Sequence, residues 1–116
     1  MSTHRNAADF ARLIQEERER QRSQENWTPS HDDAHQEGQL AKAAACYAFI
    51  AGASPAKREN EVYHRNSPEI VSSLSIVYRT WPWKWKWWKP KTRERDLIRA
   101  GALIIAELER LERLKS

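Results

Sequence analysis

Ten residues toward the C-terminal end, Trp81-Pro82-Trp83-Lys84-Trp85-Lys86-Trp87-Trp88-Lys89-Pro90, limit the fold more than any other stretch of this chain. Proline removes a backbone donor and restricts the residue before it, so a regular helix cannot run through a segment bounded by two of them. The stretch is expected to be extended over 80–91, its side chains alternating between two faces. It also carries five of the six tryptophans in the 116-residue sequence. That much indole either closes the core or waits for a partner.

On both sides of this segment the apolar residues recur at helical spacing. A first helix is expected over 6–26, with Phe10, Leu13 and Ile14 as its apolar stripe. Extending the stripe places Glu17 and Gln21 on the same side, whereas Glu16, Arg18, Glu19 and Arg22 read as solvated. Either the second half of this helix lines a polar site or its end leaves the core. Trp27-Thr28-Pro29 stops it, and a loop over 27–38 follows, carrying His31-Asp32-Asp33-Ala34-His35. An Ala-rich second helix is expected over 39–52, with Leu40, Ala44, Tyr47 and Ala51 facing inward.

A loop over 53–66 leads to a third helix over 67–79. Ser67-Pro68-Glu69 supplies a cap, a first-turn proline and an acid at the positive end. Ile70, Val71, Leu74, Val77 and Tyr78 supply its apolar positions. After the Trp-rich segment, Thr92 caps a long fourth helix over 92–115, with Leu97, Ile104, Leu108 and Leu111 in one seam widened by Ile98 and Ile105. Its last turns narrow to a coiled-coil-like stripe, a candidate contact between copies. The expected architecture is one all-α domain over 1–116, a small three- to four-helix bundle.

Composition narrows the class. Apolar residues make up 40% and charged residues 31%, enough for a small core under a charged surface. No apolar run approaches the roughly 20 residues that span a bilayer. The start, Met1 to Arg5, leads into charged sequence, and a single Cys46 fits a reducing compartment. These features lead to the expectation of a cytoplasmic protein. Residues 79–99 hold eight basic side chains against two acidic ones, a window charge of +6 in a chain of net +4. Basic groups interleaved with rings suit an anionic ring-bearing partner, an anionic membrane surface or self-association. A total of only +4 argues against a dedicated nucleic-acid binder. The likeness of Trp83–Trp88 to membrane-active peptides covers less than a tenth of the chain, so nucleic acid and membrane are both set aside as partners.

The loop with two His and two Asp in five residues has the donors of a divalent-metal site, with His31, Asp32 and His35 as candidate ligands and Glu17 near enough to complete it. The alternative is helix capping by Ser30 or Asp32, with Asp33 and Glu37 complementing the helix dipole. Ligand binding without metal is the third option. Cys46 sits among alanines and reads as packing. Three isolated glycines cannot form a phosphate loop, so any phosphate must be met by Arg, Lys or helix N-termini. Arg95 and Arg99, one turn apart beside the rings, could grip one.

The blocks Trp27-Thr28-Pro29, His31-Asp32-Asp33-Ala34-His35, Gly38 to Ala44, Trp81-Pro82-Trp83, Trp87-Trp88-Lys89-Pro90 and Arg95 to Glu107 stand in an order that resembles a set of small phage and prophage helical proteins. With Glu17 to Gln21 and Tyr47-Ala48, which belong to the same pattern, the matched blocks cover somewhat over a third of the chain. Residues 53–78 are longer than that pattern, and Lys84-Trp85-Lys86 is more basic. The resemblance implies a bacterial host cytoplasm and a role in host takeover, nucleotide metabolism or suppression of nucleotide-signalling immunity. On that basis the chain is expected to sequester a nucleotide-derived signalling molecule without catalysis and without an obligatory cofactor, as a homo-oligomer. Trp81, Trp83, Trp87, Trp88 and Tyr47 would stack on its rings and Lys89, Arg95 and Arg99 would meet its phosphates. His31, Asp32 and His35 would make polar or ribose contacts, with Glu17, Gln21 and Trp27 also at the site. Two alternatives stay open. One is a protein–protein inhibitor or structural module that uses the Trp-rich surface on a host protein. The other is a metal-dependent nucleotide pyrophosphohydrolase built on Glu16, Glu17, Asp32 and Asp33.

Overall fold

A computed structural model describes residues 4–25, 29–34, 36–56, 58 and 76–115. All regular secondary structure among the described residues is helical. Three long helices, α1 (Ala7–Gln24), α3 (Gln39–Ala51) and α5 (Arg93–Arg113), are joined by two short ones, α2 (Pro29–Asp33) and α4 (Ile76–Thr80). The protein is a small all-α bundle.

Each long helix starts where local chemistry allows it. Asn6 and Asp9 form a reciprocal capping box at the start of α1, satisfying two backbone donors that would otherwise lack partners. Thr92 caps α5, its hydroxyl accepting from the Arg95 N–H at 3.1 Å. α3 begins differently from expectation. Its N-cap is Gly38 in the left-handed region (φ 82°), with no side-chain cap. Neither Ser30 nor Asp32 can serve there, because both belong to α2, a separate short helix within the stretch expected to be loop.

α5 is the spine. α3 runs antiparallel to it, its C-terminal Ala51 carbonyl accepting from Arg93 Nε at 2.8 Å. α1 runs along α5 in the same direction. Arg5 pairs with Glu94, Ile14 lies on Gly101, and Arg18 Nε meets Glu109 at 2.9 Å. The core fills the space between α3 and the inner face of α5 with Leu40, Tyr47, Ile50, Leu103 and Ala106, and Val77 of α4 joins it.

The seam expected on the last helix faces the other way. Leu97, Ile104, Leu108 and Leu111 are exposed, and the buried face of α5 is Ile98, Ala100, Ala102, Leu103 and Ala106. The small residues win the inner face because α3 packs close there, alanine on alanine. Phe10 is likewise exposed, not buried, with the Arg5 guanidinium 4.9 Å from its ring centroid. The expected helix over 67–79 is helical from Ile76, and its residues 67–75 lie outside the described residues. Of the loop expected over 53–66, Pro55, Ala56 and Arg58 are helical instead, while 57 and 59–66 lie outside the described residues.

The Trp-rich segment also departs from alternation. Residues Trp85–Trp87 form a 3₁₀ turn, closed by Trp87 N–H to the Lys84 carbonyl at 3.0 Å and Trp88 N–H to the Trp85 carbonyl at 3.0 Å. The turn rotates the chain so that neighbours Trp87 and Trp88 part company, one outward and one into the core.

Candidate functional site

The residues proposed from sequence divide into three places. Trp81, Trp88 and Tyr47 are core. Trp88 is fully buried, with its ring 4.8 Å from Tyr47 and 4.9 Å from Trp81, and Trp81 stands edge-on to Trp83 at 5.4 Å. The Tyr47 hydroxyl accepts from the Lys89 N–H at 3.3 Å, and burial pushes its pKa above the ordinary value. These rings hold the segment against α3 and have no face left for a ligand to stack on, which corrects their expected role.

The second place is a buried polar knot between α1 and α5. Glu17 is enclosed, its carboxylate accepting from Arg20 at 2.9 and 2.7 Å, from Arg95 and from Gln21 Nε2 at 3.2 Å. Burial alone pushes the Glu17 pKa up. The Arg20 hydrogen bonds and the charges of Arg20, Arg95 and Arg99 outweigh it and hold the group below the ordinary value. Arg99 donates to the Lys89 carbonyl at 2.6 Å and lies 5.8 Å from the Tyr47 ring. Arg95 and Arg99 therefore do not form a free phosphate clamp; one neutralises Glu17 and the other anchors the Trp-rich segment. Two atoms in the knot are left over. Gln21 Oε1 and Arg99 Nε are buried without a hydrogen-bond partner, and both residues line a cavity of about 20 Å³, room for one water-sized group.

The third place is an open cleft of about 570 Å³ between the end of α1, α2 and the Trp-rich segment, lined by Glu25, His31, Pro82, Trp83, Lys84, Lys86 and Trp87. Trp87 is 45% exposed, and the ammoniums of Lys86 and Lys89 stand 5.2 and 5.4 Å from its ring centroid. Glu25 and Trp87 line both this cleft and the small inner cavity, so the two adjoin.

The HDDAH stretch is held by arginines. Asp32 is fully buried and paired with Arg18 at 2.6 Å, and Asp33 pairs with Arg113 at 2.7 Å. His31 Nδ1 lies 3.2 Å from Asp32 Oδ1. Arg18, read from sequence as solvated, is thus the pin that joins α1, α2 and α5 and presents His31 to the cleft. The signal was present, since Arg18 stands one helical turn beyond Ile14 and shares its side. Among the described residues no three His, Cys, Asp or Glu side chains gather as a metal site would require. His35 and Trp27 lie outside the described residues. Arg20, Glu25, Pro82, Lys84 and Lys86 were missed as site residues, although Lys84 and Lys86 belong to the basic window that drew attention to this segment.

Comparison with protein-family models, with curated proteins and with solved structures finds no match to this chain. The site is read from its own chemistry.

Proposed function

We propose that the protein is a small-molecule binding protein that holds an anionic, ring-bearing compound of the nucleotide class in the cleft beside Trp87. The observation that carries this reading is the placement of Trp87. It is the most exposed tryptophan of the segment, it stands on the wall of a cleft of ligand size, and two ammoniums flank its ring. A base stacks on the indole, phosphates meet Lys84, Lys86 and Lys89, and Glu25 and His31 offer acceptor and donor groups for a sugar. Beneath, the leftover Gln21 carbonyl oxygen and Arg99 Nε offer one acceptor and one donor toward an inserted polar edge.

Magnitudes set the strength. One stacked ring contributes about 1–3 kcal/mol, and exposed lysine–phosphate contacts add modest amounts. Those terms total at most about 6 kcal/mol before the cost of association, well short of the about −12 kcal/mol of a nanomolar trap, so the complex is a weak one. Such a protein withdraws its ligand by abundance. In the phage setting implied by the sequence resemblance, the compound withdrawn would be a host nucleotide signal.

The reading asks for no catalytic group, and the carboxylates on which a hydrolase was weighed are otherwise engaged. Glu17 is bound by Arg20 and Arg95, Asp32 by Arg18 and Asp33 by Arg113, while Glu16 is solvated and lies 3.9 Å from Arg12.

The test is recovery of ligand from a panel of linear and cyclic nucleotides and ADP-ribose derivatives, with and without divalent metal, followed by titration monitored through tryptophan emission. One compound retained and released intact, with affinity falling at least tenfold in Trp87→Ala and in Lys86→Ala, is the expected result. Unchanged affinity in a folded Trp87→Ala protein, or release of a cleaved product, overturns it.

A further inference from the structure

The outer face of α5 has no counterpart within the described fold. Leu97, Ile104, Leu108, Leu111 and Leu114 are between 43% and 68% exposed. They follow one another along the helix for about 25 Å. Beside Ile104 and Leu108 runs a mostly apolar groove of about 290 Å³, whose other wall is Ala41, Ala44, Ala45 and Ala48 of α3, with Glu107, paired to Arg110, also on its lining. A row of bulky side chains therefore stands next to a trough lined with methyl groups on the same surface.

We infer that this face is where two copies of the chain pair, antiparallel along α5, with the leucine row of each lying along that of the other and the two alanine troughs facing across the contact. Three observations select a second copy as the occupant. First, the five side chains alone expose on the order of 500 Å² of apolar surface, at the top of what the largest patch of a monomer carries. With the exposed Ala41, Ala45 and Ala48 of the trough they reach about 600 Å², the area each partner gives to the smallest specific interfaces. Second, the row runs exposed along α5, so the same patch can serve on both copies, as an isologous two-fold contact requires. A two-fold axis near the middle of the row sets Ile104 of one copy opposite Leu108 of the other, and Leu97 opposite Leu114. Third, spacings of seven, four and three residues keep the row on one side of α5, the pattern of helix-on-helix pairing. Antiparallel pairing also sets the positive end of each helix beside the negative end of the other. The surface is separate from the cleft at Trp87, so pairing leaves the proposed binding site open.

Sedimentation velocity and light scattering across micromolar to sub-millimolar concentration test this. The expected result is a reversible species of twice the 13.6 kDa chain mass. Leu108→Glu, a change at a solvent-facing position of the single chain, should keep its helical circular dichroism and its thermal midpoint at low concentration while weakening association at least tenfold. Glu19→Ala, exposed on α1, should leave association unchanged. Orientation is read by cross-linking. Mild oxidation of the double variant Leu97→Cys/Leu114→Cys should give a covalent dimer, with little from either single variant. A wild-type chain that stays monomeric throughout, or a folded Leu108→Glu protein that associates as well as wild type, overturns the inference. Efficient cross-linking through either single cysteine overturns the antiparallel arrangement.

Discussion

Glu17 sits between two helices with Arg20 on its own turn and Arg95 and Arg99 across from it, its carboxylate shielded from water yet ionised. Removing one partner of a buried pair costs about 3–5 kcal/mol, because the other charge is stranded. Arg20 and Arg95 keep some solvent contact, so Glu17→Gln should destabilise by about 2–3 kcal/mol in urea denaturation. The same group sets a pH dependence. Its pKa in the folded chain lies below the ordinary 4.5, so its contribution is complete above that value. It is lost as pH falls through the lower folded-state value. Wild type should lose stability over that acid window, and Glu17→Gln should lose less, as urea midpoints measured across the range will register. Gln21 answers the opposite way. Its carbonyl oxygen is buried without a partner, and an unpaired buried acceptor costs about 1–3 kcal/mol. Gln21→Leu removes that acceptor along with one long hydrogen bond to Glu17, so a thermal midpoint equal to or above wild type is expected. A clear drop would mean the oxygen is satisfied after all.

Among the elements, the crossing of α1 over α5 depends on a single absent side chain. A Cβ at Gly101 would meet Ile14 Cδ1 at 2.8 Å and its Cγ1 and Cγ2 at 3.1 and 3.2 Å. Alanine gains about 1 kcal/mol of helix propensity over glycine, but overpacking costs about 1–3 kcal/mol. Gly101→Ala is therefore expected to destabilise by up to about 2 kcal/mol in chemical denaturation. In an Ile14→Ala background the same substitution should stabilise, because the contact is gone. The Trp-rich segment is the other element whose energetics can be read. Trp88→Ala empties a fully buried site and should cost about 3–5 kcal/mol, whereas Trp87→Ala should change stability by less than about 1 kcal/mol.

Helix positions were legible because caps and periodicity act locally. Asn6, Thr92 and the run from Gln39 to Ala51 announce themselves in the chain. What periodicity could not decide was which of two adjacent apolar stripes on α5 turns inward. On α5 the leucines are the larger residues, yet close approach by the alanines of α3 awards the inner face to Ala100, Leu103 and Ala106. The same limit applies to charge. The side on which Arg18 stands could be read from Ile14, but not that α2 would bring Asp32 to it, nor that α1 would bring Glu17 to Arg95. The division between Trp87 and Trp88 depends on a one-turn twist that no residue pattern in the segment dictates.

At the scale of the whole molecule, arginine carries the cross-links. Arg58 reaches from beyond α3 to the Ile50 carbonyl at 2.8 Å and to buried Asp96 at 3.0 Å, Arg93 to Ala51, Arg18 to Asp32 and Glu109, and Arg113 to Asp33. Lysine is left on the outside, at 84, 86 and 89 around the cleft. The two cations thus serve different purposes. Guanidinium forks bind several acceptors at once and hold elements together, whereas ammoniums stay hydrated and free to meet an anion. Solvated charges are screened within about 8–10 Å at ordinary salt. Ligand affinity at the cleft should therefore fall several-fold as ionic strength is raised, while the urea midpoint changes little. An affinity indifferent to salt would show that the lysines do not contribute.

The packing of Trp81, Trp83 and Trp88 has an optical consequence. Indoles a few ångströms apart and steeply inclined to one another couple their electronic transitions, adding a signed pair of bands at the long-wavelength edge of the far-ultraviolet dichroism. That signal overlaps the helical bands and will distort a helix content read from the spectrum alone. It also reports something the helical bands do not, namely whether the Trp-rich strap is seated on α3. Its disappearance on heating before the helices melt would mark the strap as a separately cooperative part of the fold.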